Sequence, residues 1–80
     1  MSLGDDVLRT VKPYLGVASR DFTTRIAKRW CSVEIESITP AHLPTLSYWM
    51  RIGAAKIVGA QKAEELGNAI DTLAATRQRG

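Results

Sequence analysis

Residues 39–58, TPAHLPTLSYWMRIGAAKIV, decide the fold. Thr39 can accept a hydrogen bond from an amide two or three residues on, and Pro40 brings a φ already suited to a first helical turn, where its missing N–H costs nothing. Leu43, Leu46, Met50, Gly53, Ala54 and Ile57 then recur at three- and four-residue steps, the period of one helical face. Tyr48 and Trp49 flank that stripe. Pro44 falls four residues after Pro40, so its ring would oppose the Pro40 carbonyl. The reading is a single turn over 40–43, then a long helix over 44–58 closed by the backbone freedom of Gly59.

Downstream, the one- or two-residue loop at Gly59 makes the next element a direct neighbour of this helix. Ala63, Leu66, Gly67, Ile70, Leu73 and Ala74 share a face, with Lys62, Glu64, Glu65, Asn68 and Asp71 opposite. A last helix is predicted over 60–75, followed by a polar tail at 76–80. Gly53-Ala54-Ala55 on one helix and Ala60, Ala63 and Gly67 on the other read as a small-residue seam. It serves either the packing of these two helices or contact with another subunit.

Upstream, residues 32–38 alternate apolar and polar, the period of a strand. No second alternating segment exists to pair with them in the chain, so they are predicted as an extended connector. Before it, Ala18, Phe22, Ile26 and Trp30 step by four while Arg20, Asp21, Thr24, Arg25, Lys28 and Arg29 take the other faces. That predicts a helix over 17–31. At the start, Asp5 and Asp6 lie where a helix dipole favours acids, and Val7, Leu8 and Val11 follow at helical spacing. Pro13 disfavours helical backbone at Lys12, so this first helix is predicted over 5–12, with a bend at Tyr14–Gly16. The fold class is all-α: one domain, residues 1–80, of four helices over 5–12, 17–31, 44–58 and 60–75. Phe22, Ile26, Trp30, Leu43, Leu46, Met50, Ile57, Leu66 and Ile70 are the predicted core.

Eighty residues suffice for one small core. There is no apolar run of about 18 residues, and the opening MSLGDD is acidic where a signal peptide is basic, so the expectation is a cytoplasmic chain with no membrane contact. Cys31 is the only cysteine, which excludes an intrachain disulfide and a cysteine zinc cluster. No metal or cofactor is expected.

His42 is the only histidine and Cys31 the only thiol, and they lie eleven residues apart on either side of the connector. Without a third orienting group the reading is non-enzymatic, with His42 a polar residue of the first turn and Cys31 a small apolar filler. Arg20, Arg25, Lys28 and Arg29, with Trp30 beside them, admit two readings: an electrostatic footprint on nucleic acid, or a solvated helix face. Few side chains nearby can read base edges, Thr24 and Ser32 alone, which makes nucleic acid the secondary alternative. The principal reading is a protein-interaction module that self-associates. Val33, Ile35 and Ile38 on the connector, with Tyr48 and Trp49, are more apolar surface than so small a core encloses, and they predict a homodimer paired through the connector.

Tyr14-Leu-Gly-Val-Ala, Ile38-Thr-Pro-Ala-His-Leu-Pro-Thr-Leu, Trp49 and Ile57-Val-Gly-Ala-Gln-Lys-Ala-Glu-Glu-Leu together carry a resemblance. In this pattern the chain resembles a group of small uncharacterised bacterial helical domains, found alone or appended to signalling and regulatory proteins. The likeness spans about residues 12–73, with Val17 standing where those domains often have proline. It implies a helical regulatory or interaction module, with a signalling or regulatory protein as partner, and carries no catalytic residues across.

Overall fold

The computed structural model describes the backbone of residues 3–79 and the side chains of residues 3–76. Among the described residues there is no strand, and helical residues fall into three long runs, 3–31, 40–58 and 60–79. The all-α expectation holds, but the first two predicted helices are arms of one bent run. We label its arms α1 (Leu3–Leu15) and α2 (Ser19–Ile26), and the later helices α3 (Leu43–Val58) and α4 (Ala60–Arg79). The polar tail predicted from residue 76 continues α4 as far as Arg79. No helix among the described residues is long and apolar enough to cross a membrane.

α1 does not stop before Pro13. It runs on to Leu15, because one further turn places Leu15 in register with the buried Val7 and Val11, each four residues from the last. Pro13 lies on the exposed side of the helix, so the backbone donor it lacks is not missing from the core. The bend comes instead at Gly16, whose φ of +61° a side chain would oppose. A 3-10 turn over Gly16–Ala18 follows, and the Ser19 hydroxyl donates to the Gly16 carbonyl across it.

The buried face of α2 is not the predicted one. Ser19, Thr23 and Ala27 are buried, a stripe one residue round from Ala18, Phe22 and Ile26. These small side chains let α2 lie close to the core, while Phe22 and Ile26 pack on its flank and Ala18 is exposed. Phe22 reaches over Gly53, where an added Cβ would stand 2.7 Å from the ring.

Past Ile26 the helix widens into a π turn over Ala27–Cys31, closed by Ser32 at φ +60°. The extra residue in that turn breaks the four-step phase that put Trp30 in the predicted core. Trp30 emerges 37% exposed.

The connector is not extended throughout either. Residues 35–37 form a 3-10 turn, with the Ser37 amide bonded to the Glu34 carbonyl at 2.9 Å. In such a turn residues three apart face the same way, so Ile35 and Ile38 both enter the core, 2% and 5% exposed. Period three thus replaced period two, and Ile35 and Ile38, expected at the surface of a homodimer paired through the connector, are withdrawn from it.

The decisive stretch behaves as read, with the long helix starting one residue early. Pro40–His42 form a separate 3-10 turn, and the Thr39 amide donates to Nδ1 of His42 at 3.0 Å, so the imidazole serves as the cap acceptor. Leu43, Leu46 and Met50 are fully buried with Leu66 and Ile70 of α4, while Ile57, predicted inside, is 59% exposed beyond the reach of α2. Gly59, at φ +92°, turns the chain in one residue, and α4 returns antiparallel along α3, with Ser47 reaching Gly67 and Arg51 reaching Glu64.

Candidate interaction surface

The π turn and α3 bring four large side chains together at the surface. Trp30 and Trp49 stack with ring centroids 3.6 Å apart and planes 6° from parallel. Tyr48 stands at 87° to Trp49, its centroid 5.0 Å away. Ile52, one turn beyond Tyr48 and three residues beyond Trp49, extends the same side of α3. Tyr48 is 58% and Ile52 42% exposed, so the patch is open to solvent although Trp49 is half-buried.

Two indoles face to face place one electron-rich surface on another, an arrangement that aromatic pairs favour less than edge-on or offset ones. A cation relieves it. The guanidinium of Arg29 lies over the Trp30 ring, 5.1 Å from its centroid, and since Trp49 fills one face of that ring, the arginine covers the other.

Arg29 is thereby separated from the basic face expected on α2. Arg20 pairs with Glu36 at 3.2 Å and Lys28 with Glu34 at 3.3 Å, straps that tie the connector to α2. Each is more than half exposed at both ends and contributes at most about 1 kcal/mol. A shallow groove between the straps is lined by Arg20, Thr24, Arg25, Lys28, Glu34 and Glu36. The four cations do not form one continuous positive face.

Of the interface residues expected from sequence, the structure brings Tyr48 and Trp49 into the patch. It leaves Val33 half-buried against the core and removes Ile35 and Ile38 into it. Sequence reasoning missed Trp30 and Ile52: the regular four-step spacing concealed the π turn, although the Lys28-Arg29 pair just before Trp30 was a sign of an outward-facing segment.

It also missed the polar centre between α3 and α4. Arg51 donates to Ser47 Oγ at 2.6 Å, Glu64 at 3.0 Å, Asn68 at 2.7 Å and Asp71 at 2.9 Å. The Asp71 hydrogen bond, aided by Glu64, raises the guanidinium pKa against a smaller desolvation effect, so the charge is fixed. Glu64, Asn68 and Asp71 recur at four and three residues along α4, a spacing that could have announced a shared partner. Gly67 is present because the arginine crosses it: a Cβ there would collide with Cζ, Nε and Cγ of Arg51. Of the small residues expected to form a seam, Ala54 and Ala63 are buried in the core, while Gly53 lies under Phe22 and Gly67 under Arg51.

The Cys31 thiol points at the His42 carbonyl, 3.8 Å away, and burial raises its pKa. The imidazole is turned to Thr39, so thiol and ring nitrogen are not paired. A disfavoured thiolate reacts slowly. Alkylation of native Cys31 by iodoacetamide near neutral pH should run at least about tenfold slower than in the urea-unfolded chain, as mass spectrometry over time would show. Among the described residues no group of three His, Cys, Asp or Glu side chains is placed to hold a metal ion.

The chain matches no protein-family model, no curated protein and no solved structure at a significant level.

Proposed function

We propose that this chain is a non-enzymatic protein-interaction module of regulatory type, and that its contact surface is the patch of Trp30, Tyr48, Trp49 and Ile52. The single observation that carries the reading is the exposed Trp30–Trp49 stack with Tyr48 against its edge. Tryptophan and tyrosine offer large, rigid contact area and dominate binding hot spots. A chain of 80 residues has little apolar material to spare for its surface, and here it leaves several of its largest side chains there. The pairing of Arg20 and Lys28 with connector glutamates favours a protein contact over a phosphate track. The resemblance to domains appended to signalling proteins points the same way, and the unpaired Cys31 suits a cytoplasmic setting.

The test is a photo-cross-linking amino acid placed at position 48, with position 61 on exposed α4 as control, in the cell that makes the protein. Discrete adducts are expected from position 48 only. Their mass separates a second copy, the self-associating form, from a different polypeptide. Tyr48→Ser should weaken capture by about 2 kcal/mol or more. Its melting should move by no more than about 0.5 kcal/mol equivalent, since the side chain is mostly in water. Absence of adducts from position 48, or equal adducts from both positions, would remove the proposal.

A further inference from the structure

Resting on that reading of the patch, we infer that its partner presents an acidic segment bearing a large apolar side chain. The observation is where the chain keeps its acids. Two stretches build the patch, Phe22–Val33 and Ser37–Ala63, and neither contains a single Asp or Glu, although the chain has eight. They do contain Arg25, Lys28, Arg29, Arg51, Lys56 and Lys62.

Four of the acids on neighbouring segments are already engaged, and Asp21, which adjoins Phe22, lines the groove beside Arg20 and Arg25. Glu34 binds Lys28, Glu36 binds Arg20, and Glu64 and Asp71 bind Arg51. Arg29 remains over Trp30, and Lys56 lies one helical turn past Ile52 on the same side of α3. The exposed apolar surface is thus bordered by cations, and a complementary partner supplies carboxylates around an apolar anchor.

Two other occupants fit less well. A two-fold pair of this chain meeting at the patch would bring Arg29 and Lys56 of one copy toward the same residues of the other, which like charges oppose. A single-stranded nucleic acid needs free aromatic faces on which bases stack. Both faces of Trp30 are taken, by Trp49 and by Arg29, and Trp49 spends one face on Trp30. An apolar side chain laid across Tyr48 and Ile52, with carboxylates reaching Arg29 and Lys56, uses what is exposed.

The experiment selects random peptides of about 16 residues, displayed on phage, against the whole chain. A variant carrying Arg29→Glu and Lys56→Glu, kept out of the selection, is the comparison protein, its fold checked by circular dichroism. Trp30 and Trp49 are the only tryptophans in the chain, so intrinsic fluorescence reads the patch directly when tryptophan-free peptides are titrated. Enriched peptides should be net acidic with at least one Leu, Phe or Tyr. They should bind the charge-reversed variant and Tyr48→Ser at least about tenfold more weakly, a loss of about 1.4 kcal/mol.

Enriched peptides without an acidic excess, or bound equally by the charge-reversed variant, would overturn this inference while leaving the patch as an interaction surface. Recovery of no peptide above an uncoated-surface control would overturn both. Oligothymidylate binding as tightly as the selected peptides, with the same loss in both variants, would overturn the inference in favour of nucleic acid.

Discussion

Replacing Leu46 by alanine is expected to cost roughly 2–5 kcal/mol, the range for truncating a fully buried leucine. Leu46 is 0% exposed and sits in the one cluster that joins every part of the chain, with Val7 and Val11 of α1, Ile35 and Ile38 of the connector and Leu66 and Ile70 of α4. Among the described residues there is no second core to share the loss. Single domains carry about 0.05–0.15 kcal/mol per residue, roughly 4–12 kcal/mol for a chain of this length, so the substitution removes a large part of the total. Each kcal/mol moves the melting temperature of a domain this small by about 4–8 °C, so a fall of roughly 8–40 °C is expected. Circular dichroism during heating and urea titration measure it. A melting point within about 2 °C of the parent would mean that Leu46 does not hold the core together.

Gly67→Ala should change sign with its background. In an isolated helix alanine is better than glycine by about 1 kcal/mol, so α4 alone would gain. In the folded chain the new methyl group displaces Arg51, which holds Ser47, Glu64, Asn68 and Asp71 together. Glu64 and Asp71 are more than half exposed, so we assign the whole centre only about 2–3 kcal/mol, less than the sum for buried charged bonds. The loss still exceeds the gain, and Gly67→Ala is expected to destabilise by about 1–2 kcal/mol. With Arg51→Ala already present, the side chain nearest the new methyl group is gone. The same Gly67→Ala change should then stabilise by about 0.5–1 kcal/mol. A double-mutant cycle from urea titrations reads both values. Stabilisation by Gly67→Ala in both backgrounds would show that the arginine does not depend on the open surface of that glycine.

These two sites differ in how far the sequence announced them. Leu46 was legible because it repeats at the helical period between unambiguous start and stop signals, and each of those signals is local. Thr39 and Pro40 open the turn, Gly59 closes the helix, and the fold contradicts none of them. The Arg51 centre was not legible in that way, since its partners on α4 lie 13 to 20 residues away and only the antiparallel return of that helix brings them within reach.

The sequence by itself determined the all-α class, the tight pairing of α3 with α4 and the inward residues Leu43, Leu46, Met50, Leu66 and Ile70, because periodicity and turn chemistry act over a few residues. Tertiary structure alone decided the phase of α2, the continuation of α1 through Pro13, the 3-10 turn in the connector and the exposure of Trp30. Each of these is a shift of about one residue or one turn whose local cost is small. Packing chooses among such alternatives: seating Leu15, Ile35 and Ile38 in the core gains more than the preferred local pattern would. The interaction surface belongs to this second group. Tyr48 and Trp49 were visible as residues flanking a stripe, but Trp30 joins them only through the phase of α2 and the five-residue π turn that follows it, which together leave it out of the core and on Trp49.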